Sequence, residues 1–307
     1  MVQVESRRKR AWCVLGVATL LGGPVTATAA DAPDQLIVFE SVHSTSHHDL
    51  WVMSPDGTGL RQLTDDKAED VFPAWSPDGS RIAWTVGGRT PAGEIHVMNT
   101  DGTGRTRLTY NAYSDYNATW SPDGTKIAFR SNRDGNRDIY VINADGTGEQ
   151  RLTDDPAADF APDWSPDGTR ISFTRDSGVH PAVWSMAADG SDEQQLTAAS
   201  LNAGVSGWSP DGSRIVFADS FCATCGESDL FVMNADGSGV TQVTDTPENE
   251  LATSWSPDGT QVVIDLGRID GAALHKGDIA LVDVATGATT RLTTTPGVNE
   301  EHPSWSP

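Results

Sequence analysis

Trp120-Ser121-Pro122-Asp123-Gly124, followed by Lys126-Ile127-Ala128-Phe129, Asp138-Ile139-Tyr140-Val141, Asn143-Ala144-Asp145-Gly146 and Gln150-Arg151-Leu152-Thr153, is the stretch that decides the fold. Pro122 presets φ at the second position of a tight turn and Gly124 permits positive φ at its end, so Trp120 closes one strand and Lys126 opens the next. The segments 126–129 and 138–141 have the length and composition of a second and a third strand. Asn143 to Gly146 turns again, into a short fourth strand ending at Leu152-Thr153. Nothing in the unit has a helical period.

The unit recurs along the chain. Trp-Ser-Pro-Asp-Gly starts at Trp75, Trp120, Trp164 and Trp255, with a further copy at Trp208 and a truncated Trp305-Ser306-Pro307, at spacings of 45, 44, 44, 47 and 50 residues. A period near 40–45 residues with several strands and turns per unit indicates propeller blades. Fourth-strand endings occur six times, at Leu63, Leu108, Leu152, Leu196, Val243 and Leu292. Residues 36–64 supply only three strands of a blade, and the orphan strand at Trp305 supplies its missing inner one. We therefore expect an all-β fold: a six-bladed β-propeller of four-stranded antiparallel blades over residues 30–307, closed by pairing of the C-terminal strand with the N-terminal blade. Six of the ten tryptophans occupy this motif position and are expected to fill the wedge between blades.

Residues 1–29 read differently. Arg7, Arg8, Lys9 and Arg10 precede an apolar run from Ala11 to Leu21 and a small-residue stretch ending Ala27-Thr28-Ala29-Ala30, the three-part pattern of a secretory signal peptide. The run is too short for a mature bilayer span, Cys13 lacks a lipoprotein cleavage context, and no later stretch is long and apolar enough. The expected protein is exported, periplasmic or extracellular, without a transmembrane anchor, and monomeric. Ser6-Arg7-Arg8 leaves both the general and the twin-arginine export routes open. Cleavage would leave 17 basic and 42 acidic residues and a net charge near −25, which repels nucleic acid and anionic lipid and suits cationic partners or divalent metal.

The order Trp-Ser-Pro-Asp-Gly, Ile-Ala-Phe, Asp-Ile-Tyr-Val-Ile-Asn-Ala-Asp-Gly-Thr-Gly, Arg-Leu-Thr resembles the WD40-like repeat of TolB-type propellers across residues 36–307. The family's namesake carries an additional N-terminal α/β domain and serves as a periplasmic partner in an envelope complex. The sequence leaves no room for that domain ahead of its first strand, so the resemblance implies the propeller alone. Propellers of this kind also precede α/β-hydrolase domains, but the required Gly-x-Ser-x-Gly elbow is missing.

In such a blade the Pro-Asp-Gly and Ala-Asp-Gly turns share one face, while the second-to-third and fourth-to-first strand loops share the other and vary between units. Recognition is expected on the variable face. Five residues before the motif tryptophan stand Asp70, Asp115, Asp159, Glu250 and Glu300, with Ala203 the exception. By rotational symmetry these are the candidate binding residues, an acidic ring around the channel mouth for a cationic segment or for calcium or another divalent cation. The opposing reading is that each carboxylate caps its own loop or pairs with a neighbouring basic residue. A second series, Asp49, Glu94, Asp138, Asp229 and Asp278, opens the third strand and is expected to pair with loop arginines such as Arg133. The run 132–138 reads as a hairpin turn more simply than as a calcium loop.

His47, His48, His180, His275 and His302 lie on or near the variable face without local metal-ligand spacing. Cys222 and Cys225 are the two mature cysteines, expected to form a disulfide rather than a redox or zinc site. No motif specifies a cofactor, and no catalytic constellation outweighs a binding role. The sequence thus favours a non-enzymatic scaffold recognising an envelope or extracellular protein, peptide or glycan. The alternative is a metal-assisted polysaccharide lyase or hydrolase, which would require histidines to converge on one point.

Overall fold

The computed structural model describes residues 35–42, 47–87, 92–219, 228–270, 273–295 and 297–307. Within them the chain forms six four-stranded antiparallel sheets, each with its strands in chain order except the first, where Glu300–Trp305 pairs with Ile37–Ser41. The inner strands Asp70–Trp75, Asp115–Trp120, Ala158–Trp164, Gly204–Trp208, Asn249–Trp255 and Glu300–Trp305 touch one another in a closed circle. The expected six-bladed propeller and its closure by the C-terminal strand are therefore observed, with Ile37 opposite Trp305 and Ser41 opposite Glu300.

The repeated residues make the repeated contacts. In the Trp-Ser-Pro-Asp-Gly turn the Ser121 hydroxyl donates to Asp123 Oδ1 (2.6 Å) and accepts the Lys126 amide (2.9 Å), locking the turn before the second strand begins. Each fourth-strand threonine has a matching task. The hydroxyls of Thr64, Thr109, Thr153, Thr197, Thr244 and Thr293 accept the amide of the residue that follows the third-strand opening position, at 2.8–3.0 Å. These amides are buried and would otherwise lack an acceptor, so the Leu-Thr ending is a consequence of backbone satisfaction.

The core lies between blades. Trp120 packs with Ala83, Ile95 and Leu108 of one blade and with Ile127, Phe129 and Ile142 of the next, and the other five motif tryptophans are likewise buried. At the seam, Trp305, Ile37, Phe39 and Met53 of the first blade meet Val263, Ile279 and Leu281 of the last. The blades also approach at the Ala-Asp-Gly turns. A Cβ on Gly237, at φ +82, would lie 2.6 Å from the Leu196 carbonyl oxygen of the preceding blade, so only glycine permits that contact.

Candidate functional site at the channel mouth

The five candidate carboxylates do not stand free around the mouth; all of them are 0–1% exposed. Asp70 Oδ1 accepts the indole N–H of Trp84 at 2.7 Å. Asp115 takes the Arg133 guanidinium on both oxygens at 3.1 Å and the Asn111 amide at 2.7 Å. Asp159 is bidentate with Arg175 at 2.8 Å on each oxygen. Glu250 accepts the hydroxyls of Thr244 and Thr246, and Glu300 that of Thr293. The series therefore lies within the blades beside the fourth-strand threonines. Burial raises Asp70 to about 6 despite its Trp84 and Thr64 hydrogen bonds, and raises Asp159, Glu250 and Glu300 above the ordinary carboxylate range.

The third-strand series is paired too, with partners other than the one expected. Glu94, Asp138 and Asp278 meet Arg107, Arg151 and Arg291 of the fourth strands, and Asp49 and Asp229 meet Gln62 and Gln242. Arg133 instead joins Asp115 to Glu149. Residues 222 and 225, the expected disulfide, lie outside the described residues.

What lines the channel is a different set, three residues before five of the six motif tryptophans. Phe72, Asn117, Ala161, Val205 and His302 all have φ between +48° and +56°, and the inner-strand register slips around them. This bulge turns each of these side chains toward the channel. It also redirects the local amide, which a side chain of a neighbouring blade's second strand accepts where it can. Glu40 Oε2 accepts from Phe72 at 2.6 Å, Thr174 Oγ1 from Val205 at 3.0 Å and Asp265 Oδ2 from His302 at 3.4 Å.

These lining positions differ from blade to blade and set up an uneven field. Glu40 Oε1 lies 3.1 Å from His302 Nδ1, and the His302 ring lies 4.1 Å from that of Phe72. Burial alone would lower the His302 imidazole, but Glu40, Asp265 and Glu301 outweigh it and hold the group at about 9. Burial pushes Asp265 up to about 7, with His302 opposing. Glu301 and Glu69 add carboxylates beside His48. At the position equivalent to Glu40 two blades on stands Arg130, its guanidinium 4.8 Å from the Tyr116 ring and its Nε without a hydrogen-bond partner. Burial lowers it to about 10. The mouth thus has an acidic sector at the seam and a cationic one at the third blade.

A family model described as the TolB beta propeller domain matches residues 23–129 and 112–221. The chain belongs to the TolB β-propeller family. Over 44 residues it is 48% identical to the Tol-Pal system protein TolB of Anaeromyxobacter dehalogenans, a match covering 14% of this chain and 10% of that relative. The crystal structure of TolB from Acinetobacter baumannii superposes with a TM-score of 0.73 at 20% identity, covering 89% of this chain and 66% of that one. The structure of putative TolB from Agrobacterium tumefaciens does so with a TM-score of 0.69 at 21% identity, covering 84% and 89%.

In this TolB-type propeller two of the singled-out histidines, His48 and His302, reach the seam cluster, whereas His180 pairs with Asn202. Sequence reasoning missed Glu40, Glu301 and the bulge residues other than His302. The available signal was the misfit of blade one to its own repeat. Where Glu301 stands, the other blades place Val71, Tyr116, Phe160, Gly204 and Leu251.

One lining carboxyl yields a prediction. Asp163 accepts the Trp208 amide at 2.9 Å and the Thr119 hydroxyl at 3.3 Å, and burial raises it to about 6. A raised carboxyl contributes stability that is complete below its ordinary value of 3.8 and is lost as pH rises through about 6. Asp163→Asn keeps an acceptor for Trp208 and cannot ionise. Its melting temperature should match wild type at pH 4 and exceed it at pH 7.5 by about 2–4 °C, roughly 1 kcal/mol after allowing for solvent in the channel. Equal midpoints at both pH values would show that Asp163 titrates normally.

Proposed function

We propose that this protein is an exported, non-enzymatic binding propeller that recognises a protein or peptide partner at the variable-loop mouth of its channel. The observation that carries the reading is the ring of non-repeating residues, Phe72, Asn117, Ala161, Val205 and His302, held on bulged backbone at one position of an otherwise repeated scaffold. A fold that needed these side chains only for packing would repeat them, as it repeats the tryptophans and threonines. The relative from Anaeromyxobacter dehalogenans is a protein of the Tol-Pal system, which supports an envelope partner, and the leader-like residues 1–29 support export. Asp70, Asp115, Asp159, Glu250 and Glu300 serve here by fixing the loops around the mouth through their buried hydrogen bonds and ion pairs.

The partner segment would place an apolar or aromatic group against Phe72 and Val205, a basic group toward Glu301 and an acidic one toward Arg130. In the test, envelope proteins captured by wild type are identified, and the purified partner is titrated against Phe72→Ala, Arg130→Gln and wild type at 50 and 500 mM salt. Each substitution should weaken binding at least tenfold, and wild-type binding should weaken with salt. Unchanged affinity in both variants would place recognition elsewhere.

A further inference from the structure

We infer that the seam of the ring binds a single divalent transition-metal ion of the zinc class, through Glu40, His48 and Glu301. One ligand atom from each of these three residues lies within 4.8 Å of the other two. Ligands about 2.1 Å from a tetrahedral zinc stand about 3.4 Å apart, so side-chain movements of about an ångström would close the set. The three come from separate segments: Glu40 from the first blade's second strand, His48 from the loop that follows it, and Glu301 from the C-terminal strand that closes the ring.

The orientation of His48 separates this cluster from a chance gathering of acids. Its backbone amide and Nδ1 both contact Glu69 Oε2, at 3.0 and 2.8 Å. The Glu69 carboxylate lies on the Nδ1 side of the ring and accepts from it, which makes Nδ1 the protonated nitrogen. The lone pair is then on Nε2, which is buried, has no hydrogen-bond partner and faces Glu301 Oε2 at 4.0 Å. A lone pair aimed at a carboxylate is repulsive unless a proton or a metal cation lies between them. Carboxylate, imidazole and open Nε2 form the arrangement in which an outer carboxylate orients a metal-binding histidine.

Glu40 is supported in the same way. Its side chain is 3% exposed, with Oε2 on the Phe72 amide and Oε1 beside His302. The fold does not demand these residues. At the place of Glu40 other blades have Thr85, Arg130, Thr174, Ala218 and Asp265, and at the place of His48 they have Gly93, Arg137, Pro181, Ser228 and Gly277. One imidazole with two carboxylates suits zinc better than calcium, which takes six to eight oxygens.

The inference shares Glu301 with the partner surface proposed above, but its test reads metal binding alone and needs no partner. Tag-free full-length protein is stripped with EDTA, exchanged into buffer and titrated calorimetrically with zinc chloride and, separately, calcium chloride. Wild type should bind one equivalent of zinc at micromolar or tighter affinity and calcium at least tenfold more weakly. His48→Gln and Glu301→Gln should each weaken zinc binding at least tenfold, and Glu69→Gln, which touches no metal, by about 10–100-fold. Midpoints of all variants in EDTA should stay within a few degrees of wild type, showing that they fold. Absence of zinc binding by wild type, tighter binding of calcium than of zinc, or equal zinc binding by wild type and the folded His48 and Glu301 variants would overturn the inference.

Discussion

Removing residues 300–307 should lower the melting temperature by more than 10 °C and leave a protein prone to self-association. The deleted strand is the inner strand of the first blade, paired with Ile37–Ser41, all of which are buried. Its loss removes Trp305 from a cluster with Ile37, Phe39, Met53 and Val263. It also removes the bonds between the Ser306 amide and the Leu36 carbonyl and between the Trp75 indole and the Ser304 carbonyl, at 2.8 and 3.1 Å. Truncation of a buried tryptophan alone costs about 3–5 kcal/mol, and about 2–4 °C is lost per kcal/mol in a domain of 150–250 residues. The exposed strand edge adds the tendency to associate. If the truncated chain proves too unstable to purify, Trp305→Ala should still lower the midpoint by about 10 °C. An unchanged midpoint in scanning calorimetry for either protein would exclude closure through this strand.

Arg175→Met should be the most damaging single charge removal in the protein. Arg175 is 7% exposed and bidentate with Asp159, which is fully buried, while also holding Glu193 at 2.7 Å and lying 4.7 Å from the Trp184 ring. Deleting one partner of a buried pair leaves an uncompensated charge and costs about 3–5 kcal/mol. The exposed pair Arg105–Asp66, 33% and 45% accessible, should contribute under about 1 kcal/mol. We expect a midpoint about 10 °C below wild type for Arg175→Met at pH 7.5 and a shift of about 3 °C or less for Arg105→Met. Burial already raises Asp159 above the ordinary carboxylate range even with Arg175 present, so without the arginine the deficit should shrink as acidification neutralises it. Adding Asp159→Asn to Arg175→Met should recover much of the loss at neutral pH, and a double-mutant cycle measures the coupling. A loss no greater than that of Arg105→Met would show that burial of the pair carries no penalty.

The same arginine shows why the sequence alone does not decide which way the candidate ring faces. Asp70, Asp115, Asp159, Glu250 and Glu300 recur at one motif position, and recurrence in a propeller implies equivalent placement around an axis. It does not say whether a carboxylate faces the axis or the blade. That choice depends on a bulge two residues later, where the inner strand takes positive φ at Phe72, Asn117, Ala161, Val205 and His302. Three of these five, Phe72, Ala161 and Val205, are residue types for which positive φ is uncommon, so their identities carry no signal for it.

What the sequence determined by itself was everything the repeat encodes. Strand order, blade number, the tryptophan wedge, the turns and the closure by Trp305 all follow from local turn chemistry and from the need of every blade to bury the same face. Only the tertiary structure decided what lines the channel. Glu40 and Glu301 face each other across a strand pairing between residues more than 250 positions apart, and His48 reaches them from a loop with no motif of its own. A repeat specifies contacts that every unit makes alike. Among the described residues the seam is the one place where two chain segments far apart in sequence complete a single unit, so its chemistry arises from a juxtaposition that no local pattern contains.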